Sequence, residues 1–256
     1  MVDIKCQNLI FSNIQAIIFD KDGTLEDSKE YLRQVGQRVA KIVDMQFSGL
    51  EQPLLMAFGI NGDSLDPAGL IAVGSSAETA IATAAYIAQT GCRWIESLAI
   101  ARQAFKSAEK HVGNIPSPMF VGSLEVLKNL TKAGIKLGIL SAARTDEVYA
   151  FVKHHQLSDY IQVQIGVDEG PSKPDPILFL QACQSLEVEP GSTLMVGDSM
   201  GDMQMALNAK AAGCIGISWI RQFENLIGAD VLINHLNEIE VVTQQHTLIL
   251  SKQKIS

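Results

Sequence analysis

Residues 14–25, Ile-Gln-Ala-Ile-Ile-Phe-Asp-Lys-Asp-Gly-Thr-Leu, constrain this chain more than any other stretch. An apolar, β-branched run reads as a buried strand, and this one ends abruptly in Asp20 and Asp22, with a single residue between them. Gly23 allows a turn with positive φ, and the Thr24 hydroxyl is available to hold that turn closed. A buried strand delivering Asp-x-Asp to a turn sets both side chains at the carboxyl edge of a sheet, where open α/β sheets bind ligands. Two anions so close repel each other unless a cation or a shared proton relieves them. Their oxygens suit a hard metal, Mg²⁺ first. Capping of a following helix explains one of the two acids but not both.

A chain of 256 residues, 47 % apolar and 19 % charged, can bury a full core, as one domain with a large insertion or as two small domains. The 20 basic and 28 acidic residues leave −8 with no Lys/Arg cluster, so nucleic acid is not expected as a partner. No uncharged run is long enough to span a bilayer, and the N-terminus lacks the pattern of a signal peptide, so no membrane association is expected. Cys6, Cys92, Cys183 and Cys214 are scattered without CxxC spacing, which reads as free thiols in a reducing cytoplasm. The five histidines show no metal-ligand spacing, and the adjacent His154 and His155 read as surface residues.

Along the chain, residues 2–11 suggest an extra strand before the acidic one. From Ser28 to Pro118 the texture is helical: Leu32, Val35, Val39, Ile42 and Val43 share one helix face, and Ala77–Gln89 and Trp94–His111 read as further helices. Gly59, Gly62, Asp63, Asp66 and Pro67 mark turns between them, and no strand alternation is visible. An all-helical module inserted after the first strand is expected, residues 28–118, within a core of residues 1–27 and 119–256. After residue 118 helices alternate with strands at Ile135–Leu140, Tyr160–Val167, Thr193–Gly197, Cys214–Ile220 and Ala229–Asn234. Thr145 can cap one intervening helix, and Met203–Ala212 forms another. Such alternation argues for α/β architecture, a parallel sheet covered on both faces. Thr247–Leu250 is strand-like and could pair with the N-terminal segment.

Four more positions have the chemistry to join the two acids. Ser141 ends the strand Ile135–Leu140, where a hydroxyl and following N–H groups can hold a phosphoryl oxygen. Lys173, in Pro-Ser-Lys-Pro-Asp-Pro, lies before a helix opened by Asp175-Pro176, and its ammonium can neutralise phosphate charge and offset carboxylate repulsion. Val196-Gly197-Asp198 again ends an apolar strand in an acid, with Asp202 four residues on, as a helix cap or a second acid of the site.

Phe-Asp20-Lys-Asp22-Gly-Thr-Leu resembles the first motif, DxDGT, of the haloacid dehalogenase superfamily, most of whose members are Mg²⁺-dependent phosphatases. Ser141, Ser172-Lys173-Pro174 and Gly197-Asp198-Ser-Met-Gly-Asp202 resemble the second, third and fourth motifs, in order, so the resemblance covers nearly the whole chain. It implies a Rossmann-like, three-layer core with a helical cap, as in phosphoglycolate phosphatase and phosphosugar mutase relatives. Dehalogenases lack an acid at the position of Asp22, so carbon–halogen cleavage is not expected.

The resemblance implies that Asp20 attacks phosphorus to form an aspartyl-phosphate. Asp22 then protonates the leaving alcohol and later activates water. Mg²⁺ is bound by the Asp20 carboxylate, the Asp22 backbone carbonyl and the Asp198 carboxylate. Ser141 and Lys173 hold the phosphoryl charge, Gly23 and Thr24 support the loop, and Asp202 supports the water shell or Lys173. The expected partner is a small phosphorylated metabolite, with a monomer and a homodimer equally open. Phosphoglycolate phosphatases usually read Thr-Asn-Lys at the second motif. Ser-Ala-Ala-Arg144 stands here, which speaks against that substrate, while Arg144, following the phosphate-binding turn, is a candidate to meet an anionic substrate. Arg93, Arg102, Lys41 and Lys106 read as solvated helix-face charges. A phosphosugar mutase, a phosphonatase with a Schiff-base lysine, and a non-catalytic binding protein are the competing readings.

Overall fold

The computed structural model describes residues 2–113, 115–220 and 226–242. The N-terminal segment is two strands rather than one: β1 (Val2–Cys6) and β2 (Leu9–Ile14) pair antiparallel through a turn at Gln7, whose φ is +52°. That turn contains no glycine or proline to announce it. The acidic stretch follows as β3 (Ala16–Phe19), buried at all four positions.

Helices α1 (Lys29–Asp44), α2 (Glu51–Phe58), α3 (Leu70–Val73), α4 (Ser76–Gln89) and α5 (Trp94–Val112) fill the insertion. They carry their own core, in which Val39, Val43, Leu54 and Phe58 meet the small faces of α4 and α5 at Ala84, Ala101, Ala104 and Ala108. The insertion is not all-helical. Strands β4 (Ile60–Asn61) and β5 (Ser64–Leu65) form a hairpin around Gly62, and two residues each is too short for alternation to register in a sequence.

The remainder alternates: α6 (Ser123–Lys132), β6 (Lys136–Leu140), α7 (Thr145–His154), β7 (Ile161–Ile165), α8 (Ile177–Leu186), β8 (Thr193–Gly197), α9 (Met200–Asn208), β9 (Gly213–Ile217), β10 (Val231–Ile233) and β11 (Ile239–Val242). Thr145 is the first residue of α7 and not its cap. Arg144 holds the extended cap position, and the Thr145 N–H donates to Asp168 Oδ1. Helix α9 begins three residues before Met203, because the Ser199 side chain accepts the Asp202 N–H and starts the helix there. Strand β11 pairs antiparallel with β1. The strand-like Thr247–Leu250 lies outside the described residues.

Six strands form one parallel sheet in the order β10-β9-β8-β3-β6-β7. Period-two geometry divides β3 between the two faces. Ile17 and Phe19 join a core with α6, α7 and the N-terminal hairpin, while Ala16 and Ile18 join one with α8 and α9. The result is a three-layer, Rossmann-like α/β fold with β3 at its centre. Chain order reverses on either side of β3, which opens a crevice at the carboxyl ends of β3, β6 and β8. No described helix is long and apolar enough to cross a membrane, and all four cysteines are free.

Candidate active site

Parallel pairing builds the site. Phe19 lies level with Ile139 of β6 and Val196 of β8, so all three strands end together. Asp20 follows β3, Ser141 follows β6 and Asp198 follows β8. The loop after β3 is closed by backbone hydrogen bonds: the Leu25 and Glu26 N–H groups both donate to the Lys21 carbonyl at 2.9 Å, and the Gly23 N–H donates to the Glu26 carbonyl. Gly23 has φ +76°, and a Cβ there would sit 1.9 Å from Asp198 Oδ2, so glycine is required on both counts. The Thr24 hydroxyl does not close the turn as expected. Its Oγ1 is buried and without a hydrogen-bond partner, because the main chain has already satisfied the turn.

Lys173, at a cis peptide bond to Pro174, reaches in from the loop before α8. Its Nζ lies 2.5 Å from Asp20 Oδ1 and 2.7 Å from Asp202 Oδ1, with 7 % of the side chain exposed. Asp202 is fully buried in the first turn of α9, where it also accepts hydrogen bonds from the Ser199 N–H and hydroxyl. It is helix cap and lysine anchor together. The Ser141 hydroxyl donates to Asp22 Oδ2 at 3.3 Å and accepts the Ala143 N–H at 3.1 Å. Every residue expected from the motifs therefore lies at this one crevice.

Oxygens of Asp20, Asp198 and Asp202 lie within 4.8 Å of one another. Burial, opposed by Lys173 and reinforced by Asp202 and Asp22, pushes the Asp20 carboxyl up to about 7. Burial, with the charges of Asp20 and Asp202, holds Asp198 well above the usual carboxylate range. The single ammonium of Lys173 does not balance these three acids, so the cluster has the oxygen donors and the charge deficit that fit a divalent cation such as Mg²⁺. The Asp22 carboxylate is not one of these three and instead meets Lys21 Nζ and the Ser141 hydroxyl.

Sequence reading passed over Lys21, Glu26 and Ser117. Lys21 Nζ lies 2.7 Å from Asp22 Oδ1 and 2.5 Å from Glu26 Oε2, and the other Glu26 oxygen accepts the Ser117 N–H at 2.6 Å. Ser117 belongs to the segment that returns from the inserted helices, and its carbonyl meets His155 Nε2 at 2.9 Å. One buried ammonium thus serves two buried carboxylates. Burial alone would raise Asp22, but Lys21 overrides it and holds that carboxyl low, whereas burial leaves Glu26 at about 7. The available signal was a lysine between two acids at the mouth of a buried strand, where water cannot solvate it.

A cavity of about 220 Å³ lies between this crevice and the inserted helices. Contacts cross it on either side. Arg144 Nη1 pairs with Glu109 of α5 at 3.1 Å, and the Ser172 hydroxyl donates to Glu78 of α4 at 3.0 Å.

The haloacid dehalogenase-like hydrolase family model matches residues 14–210. Phosphoglycolate phosphatase of Vibrio vulnificus (strain CMCP6) is 28 % identical over 202 residues, 78 % of this chain and 81 % of that one. Phosphoglycolate phosphatase of Escherichia coli (strain K12) is 27 % identical over 244 residues, 90 % of this chain and 92 % of that one. Among solved structures, a predicted phosphatase from Clostridium acetobutylicum has a TM-score of 0.66 at 20 % identity, over 94 % of this chain and 100 % of that one. The beta-phosphoglucomutase of Clostridium difficile has a TM-score of 0.62 at 18 % identity, over 94 % and 99 %. These two likenesses are of the fold. With the family model spanning both motif-bearing ends of the sheet, the chain belongs to the haloacid dehalogenase-like hydrolases.

Proposed function

We propose that this hydrolase is a Mg²⁺-dependent phosphatase that transfers the phosphoryl group of a small phosphorylated metabolite to Asp20 and then to water. The observation that carries the reading is the convergence of Asp20, Asp22 and Asp198, from the ends of the adjacent strands β3 and β8, with Lys173 from the loop before α8. An Asp20 oxygen attacks phosphorus, the P–O bond to the alcohol breaks, and Asp22 gives its proton to the departing oxygen. Water then attacks the aspartyl-phosphate, Asp22 takes the water's proton, and phosphate leaves with the Asp20 carboxylate restored. Lys21 disfavours a proton on Asp22 at rest, and an arriving phosphate dianion favours one, since a nearby negative charge raises a carboxyl.

Lys173 holds Asp20 in place and meets phosphoryl charge, anchored by Asp202. The Ser141 hydroxyl orients Asp22 and lies where a phosphoryl oxygen would be bound. The Asp20 carboxylate, the Asp22 backbone carbonyl and the Asp198 carboxylate would hold Mg²⁺, which when bound supplies positive charge to the phosphoryl oxygens. Residues 28–118 act as a cap over the cavity, closing to exclude water and opening for release. The free thiols suit a reducing cytoplasm, where we propose the protein works.

The test is phosphate release from p-nitrophenyl phosphate with and without Mg²⁺, comparing wild type with Asp20→Asn. Loss of the nucleophile is expected to lower the rate by ~1,000-fold or more, and chelator is expected to abolish release. Undiminished turnover by the Asp20→Asn enzyme would end the proposal. Mutase activity is separated by the fate of the phosphoryl group, since a mutase returns it to a sugar and accumulates little free phosphate.

A further inference from the structure

The cavity has two unlike ends. At the sheet end stand the acids and lysines already described. The opposite wall, from the inserted helices, is mostly apolar, with Leu32, Val35, Ile71, Val73 and Phe105 beside the hydroxyls of Tyr31, Ser76 and Thr79. Among the described residues lining the cavity from α1–α5, the charged side chain is an anion, Glu109. No lysine, arginine or histidine reaches the cavity from these helices.

The cations at the sheet end are already committed. Lys21 is held by Asp22 and Glu26, and Lys173 by Asp20 and Asp202. Arg144, the side chain best located to meet a charged leaving group, is surrounded by Glu109 at 3.1 Å, Asp146 at 3.2 Å and Glu147 at 3.0 Å. A second anionic group on the substrate, beyond the phosphoryl group itself, would lose its water against an apolar wall and face Glu109 with no uncommitted cation. An uncharged alkyl or aryl group would instead gain from burial there.

Resting on the phosphatase reading, we infer that the leaving group of the substrate is uncharged and largely apolar, so that carboxylate-bearing esters such as 2-phosphoglycolate are discriminated against. Glu109 is the specificity-determining residue. It repels an incoming carboxylate directly and, with Asp146 and Glu147, keeps Arg144 from pairing with one. The relatives from Vibrio vulnificus and Escherichia coli are named for phosphoglycolate, a substrate that this chain is inferred to disfavour.

Isobutyl phosphate and 2-phosphoglycolate share the CH2–O–phosphate unit and differ in the uncharged isopropyl group that replaces the carboxylate. Phosphate release by the wild-type enzyme with Mg²⁺ is expected to favour isobutyl phosphate in kcat/KM by about 10-fold or more. In Glu109→Gln, which removes that anion and leaves Arg144 paired with Asp146 and Glu147 alone, that preference is expected to fall several-fold, through faster use of 2-phosphoglycolate. A wild-type enzyme that uses 2-phosphoglycolate as well as or better than isobutyl phosphate overturns the inference and leaves the phosphatase standing. A preference unchanged in Glu109→Gln overturns the assignment to Glu109. Absence of phosphate release from every ester, p-nitrophenyl phosphate included, overturns the phosphatase reading and this inference with it.

Discussion

Lys21 carries one positive charge between two buried carboxylates, and its removal strands both. Replacing it with leucine leaves Asp22 and Glu26 without their shared ammonium, a loss expected to cost about 3 kcal/mol because an uncompensated buried charge remains. Removing Glu26 as well relieves part of that penalty. The double substitution Lys21→Leu/Glu26→Leu is therefore expected to be less destabilising than the sum of the singles by about 1 kcal/mol or more. Urea unfolding of the four proteins measures this, and strict additivity would show that the pair does not act as a unit. At the neighbouring position, Gly23→Ala sets a Cβ against Asp198 Oδ2 in a backbone with φ +76°. It is expected to lower kcat by at least ~10-fold, with phosphate-release assays as the readout. The glycine was legible from the turn it permits. The second reason for it, the close approach of Asp198, was not, because 175 residues of chain separate the two and only the pairing of β3 with β8 brings them together.

At the scale of elements, the β1–β2 hairpin with β11 forms a small antiparallel sheet packed on one face of the main one. Phe11 anchors it, with Ile4, Cys6 and Ile14. The Phe11 ring lies so close to β9 that a Cβ on Gly213 would fall 2.4 Å from it. Phe11→Ala is expected to cost about 3 kcal/mol by emptying a packed site while leaving kcat nearly unchanged, since Phe11 is remote from the acids. Thermal unfolding and turnover of the same preparation test both halves, and activity lost at intact stability would contradict the assignment. The main strands were readable because each is an apolar run bounded by turn residues. The hairpin was read as one strand because Gln7-Asn8 carries no strong turn signal, and the two-residue strands of the insertion are shorter than any period can reveal.

For the whole molecule, a cost is stored in the cluster of acids at the crevice. Asp20 has an ordinary value of 3.8 and a folded value of about 7, so the folded chain keeps a proton that the unfolded chain releases. The associated stability is complete below the ordinary value and is lost as pH rises through about 7. A bound divalent cation replaces the missing positive charge. Millimolar Mg²⁺ is therefore expected to raise the melting temperature more at about pH 8 than at about pH 5.5, where protons compete for the same oxygens. Chelator should reverse the shift. Equal shifts at both pH values, or none, would count against a metal held by Asp20 and Asp198.

Local chemistry determined the identity of this protein. An apolar run ending in acids specifies a buried strand and a charged turn wherever it occurs, and the alternation of such runs with helix-forming segments specifies a parallel sheet with covered faces. Asp20, Asp22, Lys173 and Asp198 could therefore be singled out by number from the chain alone, and the roles proposed for them came from the motif resemblance. Which carboxylate neutralises which cation was decided by tertiary structure. Glu26 meets Ser117 across 91 positions and Arg144 meets Glu109 across 35, and these contacts set the surroundings of Lys21 and Asp22 and the charge of the cavity. No periodicity records them, because periodicity reports the face a residue presents and not the distant partner that face will meet.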